Sequence, residues 1–117
     1  MTTTGGILDA YTDAFNRHDL AAIDALHSFA ARIEGPDGGT DVAALLSAFT
    51  YWFAQVPDVK AEVRAYAENG PVVFAEMILA GTDTAGHPVA VPVLLVIETA
   101  DGLIVAERQY TPVPRPV

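Results

Sequence analysis

The side chains best placed by pattern to do chemistry lie near the end of the chain. From Leu103 to Tyr110 the residues alternate as they do along an extended strand, so Glu107 and Gln109 share one face. A carboxylate on a covered face is desolvated, which favours its protonated form and draws it toward the range where a carboxyl works as a general acid or base. The same residue at a wet edge or in an ion pair would do no chemistry. Other titratable groups have simpler explanations. His18 and Asp19 fall in a turn between two helical segments, where capping accounts for them. Glu76 alternates outward, where Arg108 is the expected partner, and His87 follows a hairpin glycine. Asp37 could act as a base from the Gly35-Pro36-Asp37-Gly38-Gly39 cluster, although a turn role explains it equally well. Glu34 alternates outward.

Several reaction classes find no residues. Three scattered histidines without a His-x-x-x-His spacing, and no cysteine, give no metal-ligand set. No glycine-rich phosphate loop and no serine elbow is present, so neither a bound cofactor nor a nucleophilic enzyme is indicated.

The elements that must hold these groups are legible from periodicity. Ile7, Leu8, Tyr11 and Phe15 recur at helical spacing over Ile7 to Asn16. Asp19 caps a second helix from Leu20 whose inner side carries Ile23, Leu26 and His27. A short extended piece from Ala31 to Glu34 precedes the glycine cluster, and a third helix from Asp41 to about Gln55 carries Leu45, Phe49, Trp52 and Phe53. After Pro57 the period changes to two, over Val59 to Tyr66. Asn69-Gly70 and Asp101-Gly102 are hairpin turns, because tight type I′ turns need positive φ at both central residues. Strands from Val72 to Ala80, Val89 to Glu98 and Leu103 to Tyr110 then form an antiparallel meander. Three helices against such a sheet make an α+β domain.

The strands are apolar at both parities, which predicts two covered faces. Ala75, Met77, Leu79, Leu94 and Val96 are expected inward; Phe74, Ile78, Val93, Leu95, Ile97, Ile104 and Tyr110 are expected outward, against a second copy of the chain.

With 117 residues, the chain suits one domain burying roughly two-thirds of its unfolded surface. The formal charge of -9 disfavours nucleic acid and anionic membrane as partners, and no apolar run reaches the ~18 residues of a membrane span. The N-terminal Met1-Thr-Thr-Thr-Gly-Gly has no signal-like pattern, which points to the cytoplasm.

Tyr11-Thr-Asp-Ala-Phe-Asn-Arg-His-Asp-Leu-Ala-Ala-Ile-Asp-Ala-Leu, then Ile33-Glu34-Gly35-Pro36, Glu62-Val-Arg-Ala, Gly81-Thr82 and Gly102-Leu-Ile-Val-Ala-Glu-Arg-Gln-Tyr110, resemble in order the SnoaL-like and ketosteroid-isomerase families of the nuclear-transport-factor-like superfold. The resemblance spans about residues 7 to 112. It implies a single hollow cone, three N-terminal helices on a curved, mainly antiparallel sheet enclosing an apolar pocket. The face of Glu107 and Gln109 would look into that pocket, with Phe15, Trp52, Met77, Leu79, Leu94 and Val96 as wall residues. Tyr11 matches a phenol that stabilises an oxyanion in relatives, and His27 a position that supports it. The usual acids are missing. Ketosteroid isomerase uses an Asp base and a protonated Asp; these positions fall on Gly35 and Leu94, and the last-strand acid of SnoaL-type cyclases and limonene-epoxide-hydrolase relatives falls on Gln109, an amide. What the resemblance implies is a cofactor-independent cyclase or isomerase acting by proton transfer on an apolar, oxygenated, polyketide-like molecule. Glu107 would be the acid/base, with Tyr11, His27 and Gln109 around it. A non-catalytic or substrate-shaping binding protein, an epoxide hydrolase or dehydratase, and a pocketless assembly subunit are the alternatives on this scaffold.

Overall fold

The computed structural model describes residues 4–35 and 38–112. Helix α1 (Thr4–Asn16) buries Ile7, Leu8, Tyr11, Ala14 and Phe15 along one stripe. It ends in a Schellman motif: His18 takes φ 56°, the Asp19 N–H donates to Ala14 O at 2.9 Å and the His18 N–H to Phe15 O at 2.9 Å. The cost of a non-glycine residue there is offset by the ring of His18, which stacks on Phe53 with centroids 4.0 Å apart and meets Val59 O through Nε2 at 3.0 Å. Asp19 then caps α2 (Leu20–Ala25) by accepting from Ala22 N at 3.0 Å. His18 and Asp19 are thus fully occupied in the turn.

Strand β1 (His27–Gly35) follows at once, longer than the extended segment expected, and begins with the histidine assigned above to a helix end. Strand β2 (Gly38–Thr40) pairs antiparallel with it. Helix α3 (Val42–Gln55) is capped by Asp41 through Ala44 N at 2.9 Å and buries Val42, Leu45 and Phe49. The meander is β3 (Lys60–Asn69), β4 (Val72–Thr82), β5 (Pro88–Ala100) and β6 (Leu103–Tyr110). Asp101 and Gly102 both have positive φ, as a type I′ turn needs. At the earlier hairpin only Gly70 does; Asn69 stays on the strand and Gly70-Pro71 forms the loop.

The sheet order is β2-β1-β6-β5-β4-β3, and β1 runs parallel to β6. The sheet is therefore mixed, curved and open, with three helices packed on it. Asn16 ties α1 to β3 by a two-way bond: its Oδ1 accepts from Ala61 N at 2.6 Å and its Nδ2 donates to Ala61 O at 3.1 Å. No helix among the described residues is long and apolar enough to cross a membrane.

The parity of β5 differs from expectation. Val73, Ala75 and Met77 register with Ile97, Leu95 and Val93, so these β5 residues face the helices, whereas Leu94 and Val96 face outward. Leu94 is 43% exposed. With both parities apolar, alternation alone had no sign to offer. Ile104 also faces the core, because a bulge at Val105 reverses the alternation between Ile104 and Glu107. Arg108 pairs with Glu98 at 3.1 Å rather than with Glu76.

Candidate functional site

On the inner face of the sheet, Gln109 registers with Leu95 and Glu107 with Ile97, on the strand next to β1. Tyr11 reaches down from the middle turns of α1, and His27 projects from the start of β1. The four sequence-predicted polar residues meet here. The Tyr11 hydroxyl donates to Glu107 Oε1 at 3.0 Å, and the Gln109 amide donates to the same oxygen at 3.3 Å. His27 Nε2 is hydrogen-bonded to Glu107 Oε2, while its Nδ1 lies 2.8 Å from Ile23 O. Glu107 and His27 side chains are completely shielded from water. Every polar side-chain atom buried among the described residues has a partner, so the cluster is fully satisfied and costs little to bury.

Hydrogen-bond chemistry fixes the protons. Ile23 O only accepts, so Nδ1 carries a hydrogen. A hydrogen bond between Nε2 and Oε2 then needs one further proton, held by the imidazole or the carboxyl, and the pair is neutral as a unit. Burial is the strongest influence on His27 and pulls its pKa down; the Glu107 hydrogen bond and charge, together with Ile23 O and Asp24, outweigh it and leave the pKa raised. Tyr11 is held well above its ordinary 10.0 by burial first, then by the charge and hydrogen bond of Glu107. It stays a neutral phenol.

A pocket opens on the far side of Tyr11. Its polar lining is Tyr11, Thr12 and Gln109, and its walls are Phe15, Phe49, Ala61, Met77, Leu79, Val93 and Leu95. The interior leaves about 50 Å³ for the centre of a water-sized molecule, room for more than one water or the edge of a small ring. Glu107 and His27 stand behind Tyr11 and Gln109 rather than in the wall. Of the expected wall residues, Phe15, Met77 and Leu79 are present. Trp52 packs against the core without reaching the pocket, and Leu94 and Val96 lie on the outer face. Leu94 therefore does not line the pocket, whereas its neighbour Leu95 does. Val93 and Leu95 were missed through the parity of β5. Phe49 was legible on the third helix, but its direction depends on how that helix crosses Phe15, at 5.2 Å between ring centroids.

Glu34 is exposed, on the outer side of β1 in register with Arg108. Asp37 lies outside the described residues. Among those described, no cluster of three His, Cys, Asp or Glu is placed to hold a metal ion.

Residues 8–107 match the family model of the SnoaL-like domain. The chain belongs to the SnoaL-like family. Solved structures share this fold at low identity. AclR from Streptomyces galilaeus, a candidate hydroxylase, superposes with a TM-score of 0.88 at 17% identity, covering 93% of this chain and 74% of its own. IdmH from Streptomyces antibioticus, a candidate polyketide cyclase, gives 0.85 at 22%, covering 93% and 91%. A Catenulispora acidiphila protein with a ketosteroid-isomerase-like fold gives 0.79 at 20%, covering 92% and 86%. No curated protein matches in sequence. Within this SnoaL-like domain, the buried Tyr11–Glu107–His27 chain ending at an apolar pocket is the feature that can support proton transfer.

Proposed function

We propose that this SnoaL-like domain is a cofactor-independent enzyme that moves protons on an apolar, oxygenated small molecule of polyketide type, leading to cyclisation or isomerisation. The observation that carries this reading is Tyr11, which lines the pocket and whose hydroxyl is bonded to a fully buried carboxylate. A substrate proton passes to Tyr11 Oη as the phenolic proton passes to Glu107 Oε1. The substrate becomes an enolate, and the Glu107–His27 pair gains one positive charge that offsets it. Return of the proton through Tyr11 to a different carbon completes an isomerisation; attack of the enolate carbon on a carbonyl, with the proton returned to the new alkoxide, completes a cyclisation. Tyr11 never has to exist as a free phenolate, which suits its raised pKa. Relay through a positioned group of this kind contributes about 10²–10⁴-fold.

The test is deuterium exchange of the α-protons of 2-indanone in heavy water, followed by proton NMR. Wild-type protein should accelerate exchange, and Glu107→Gln should lose about 10²-fold or more. A folded Glu107→Gln protein with undiminished exchange excludes the relay. The complete screening of Glu107 from the pocket favours one second reading, a binding protein whose buried polar cluster only orients Tyr11 and Gln109; it predicts ligand binding with no exchange.

The outer sheet face supports the further proposal that the chain works as a homodimer. Phe74, Leu94 and Tyr110 are exposed there, and Leu94 and Tyr110 border a hollow that also includes Ile78 and Pro92.

A further inference from the structure

We propose that the site is built for a ligand presenting a hydroxyl group, an enol or phenol on an apolar ring, rather than for a ketone oxygen or an anion. The inference builds on the acid/base reading of the same site and follows from where its hydrogens point. Glu107 Oε1 receives both the Tyr11 hydroxyl and the Gln109 amide. The one proton shared in the Glu107–His27 pair lies between Oε2 and Nε2, on whichever atom it resides, because Nδ1 is committed to Ile23 O. Oε1 is therefore an acceptor in both forms of the pair. In the resting site, with no enolate to offset it, a second proton on Oε1 would leave the buried pair with a net positive charge, which a water-free site penalises. The Tyr11 hydrogen consequently points away from the pocket.

What Tyr11 offers a ligand is a lone pair on Oη. Gln109 offers its carbonyl oxygen, which has no hydrogen-bond partner among the described residues and is not sealed from solvent, and its second amide hydrogen. A hydroxyl satisfies this set: it donates to Tyr11 Oη and accepts from the remaining Gln109 N–H. A ketone can only accept, so Tyr11 Oη is left unpaired once the pocket closes on an apolar ring, and burying an unpaired acceptor is costly. An anion meets two lone pairs inside a chain of net charge -9. The aromatic and aliphatic walls, Phe15, Phe49, Met77 and Leu95, suit the flat body of such a ring.

Titration with indan-5-ol, its methyl ether and 2-indanone, read by amide chemical shifts, tests this. Indan-5-ol should bind about 10-fold tighter than either of the others, the effect of one satisfied hydrogen bond, and Tyr11→Phe should bring the three within about 2-fold of one another. Equal affinity of the methyl ether or the ketone for wild-type protein overturns the proposal. So does a preference that survives Tyr11→Phe, or failure of indan-5-ol to bind at its solubility limit. If Tyr11→Phe does not fold, the wild-type hydroxyl proton decides: nuclear Overhauser contacts from it to the Glu107 methylenes support the proposal, and contacts only to Met77 and Leu95 refute it. A hydroxyl preference without Glu107-dependent exchange removes the enzymatic reading and leaves this one; exchange without the preference does the reverse.

Discussion

Tyr11 and Glu107, 96 positions apart in the chain, are joined by a buried hydrogen bond of 3.0 Å that sets one of them in the pocket wall and hides the other. The acid is present, but it is not among the residues that line the pocket, whereas its partners Tyr11 and Gln109 are. On the last strand the pocket-lining residue is the amide Gln109, and the carboxylate Glu107 lies two residues earlier on the same face, bonded to His27.

That arrangement makes the stability of Glu107 variants depend on what replaces the carboxyl. Glu107→Gln keeps an acceptor for Tyr11 and turns an amide hydrogen toward Nε2 of a neutral His27, so the loss should be about 1 kcal/mol. Glu107→Ala removes the partner of a buried imidazole and leaves a cavity, and about 3–5 kcal/mol should be lost. Urea unfolding of both variants checks the order, and equal stability of the two would show that the pair contributes nothing specific.

The pH dependence has a definite sign. The His27 pKa is raised in the folded chain above its ordinary 6.5. A raised pKa means that the folded state holds its proton more tightly than the unfolded state. The contribution is therefore complete below about 6.5 and is lost as pH rises through the folded-state value. Stability measured by urea unfolding from slightly acid to mildly alkaline pH should fall, and His27→Gln should flatten that fall. An unchanged slope in the variant would assign the loss to other groups.

Much of this organisation was legible in the sequence, and what was not has physical causes. Helical spacing found Tyr11 and Phe15 on one stripe, and alternation found Glu107 and Gln109 on one face, because in both cases polar or aromatic residues broke the pattern. Leu94 and Val96 were set on the wrong side because β5 is apolar at both parities; only Glu98, paired with Arg108 on the outer face, carried the sign. Strand β1 escaped at its start because Ser28, Phe29 and Ala30 have no alternation, and its ladder with β6 is irregular between His27 and Arg32. The parallel pairing of β1 with β6 is a long-range contact that local pattern does not encode, yet it is what delivers His27 to Glu107.

The outer face gives a prediction about assembly. Leu94 registers with Glu76 on one side and Tyr110 on the other, at the centre of the exposed apolar surface. If two copies associate there, Leu94→Glu sets a buried charge at the interface beside another carboxylate, and sedimentation velocity should show a dimer for the wild type and a monomer for the variant. A wild-type monomer at micromolar concentration removes the proposal.

Gly81 tests how tightly the end of β4 is held against the turn after α3. A Cβ there would lie 2.6 Å from both Val56 Cγ1 and Asp58 Oδ1 and 3.1 Å from the Val59 Cα. Asp58 cannot swing aside freely, since its Oδ1 accepts from Thr82 N at 2.7 Å, and Val56 and Val59 are buried. The backbone of β4 must shift instead, straining its ladder with β5, where Gly81 faces Val89. Gly81→Ala should therefore cost about 1–3 kcal/mol, the usual penalty of overpacking. At Gly39, on the exposed β2 strand, a Cβ meets nothing within 4 Å, and Gly39→Ala should leave stability within about 0.5 kcal/mol of the parent. Thermal unfolding of the two variants separates a steric cause from a general cost of replacing glycine: a similar loss at both positions would mean that the close approach at Gly81 is relieved without strain.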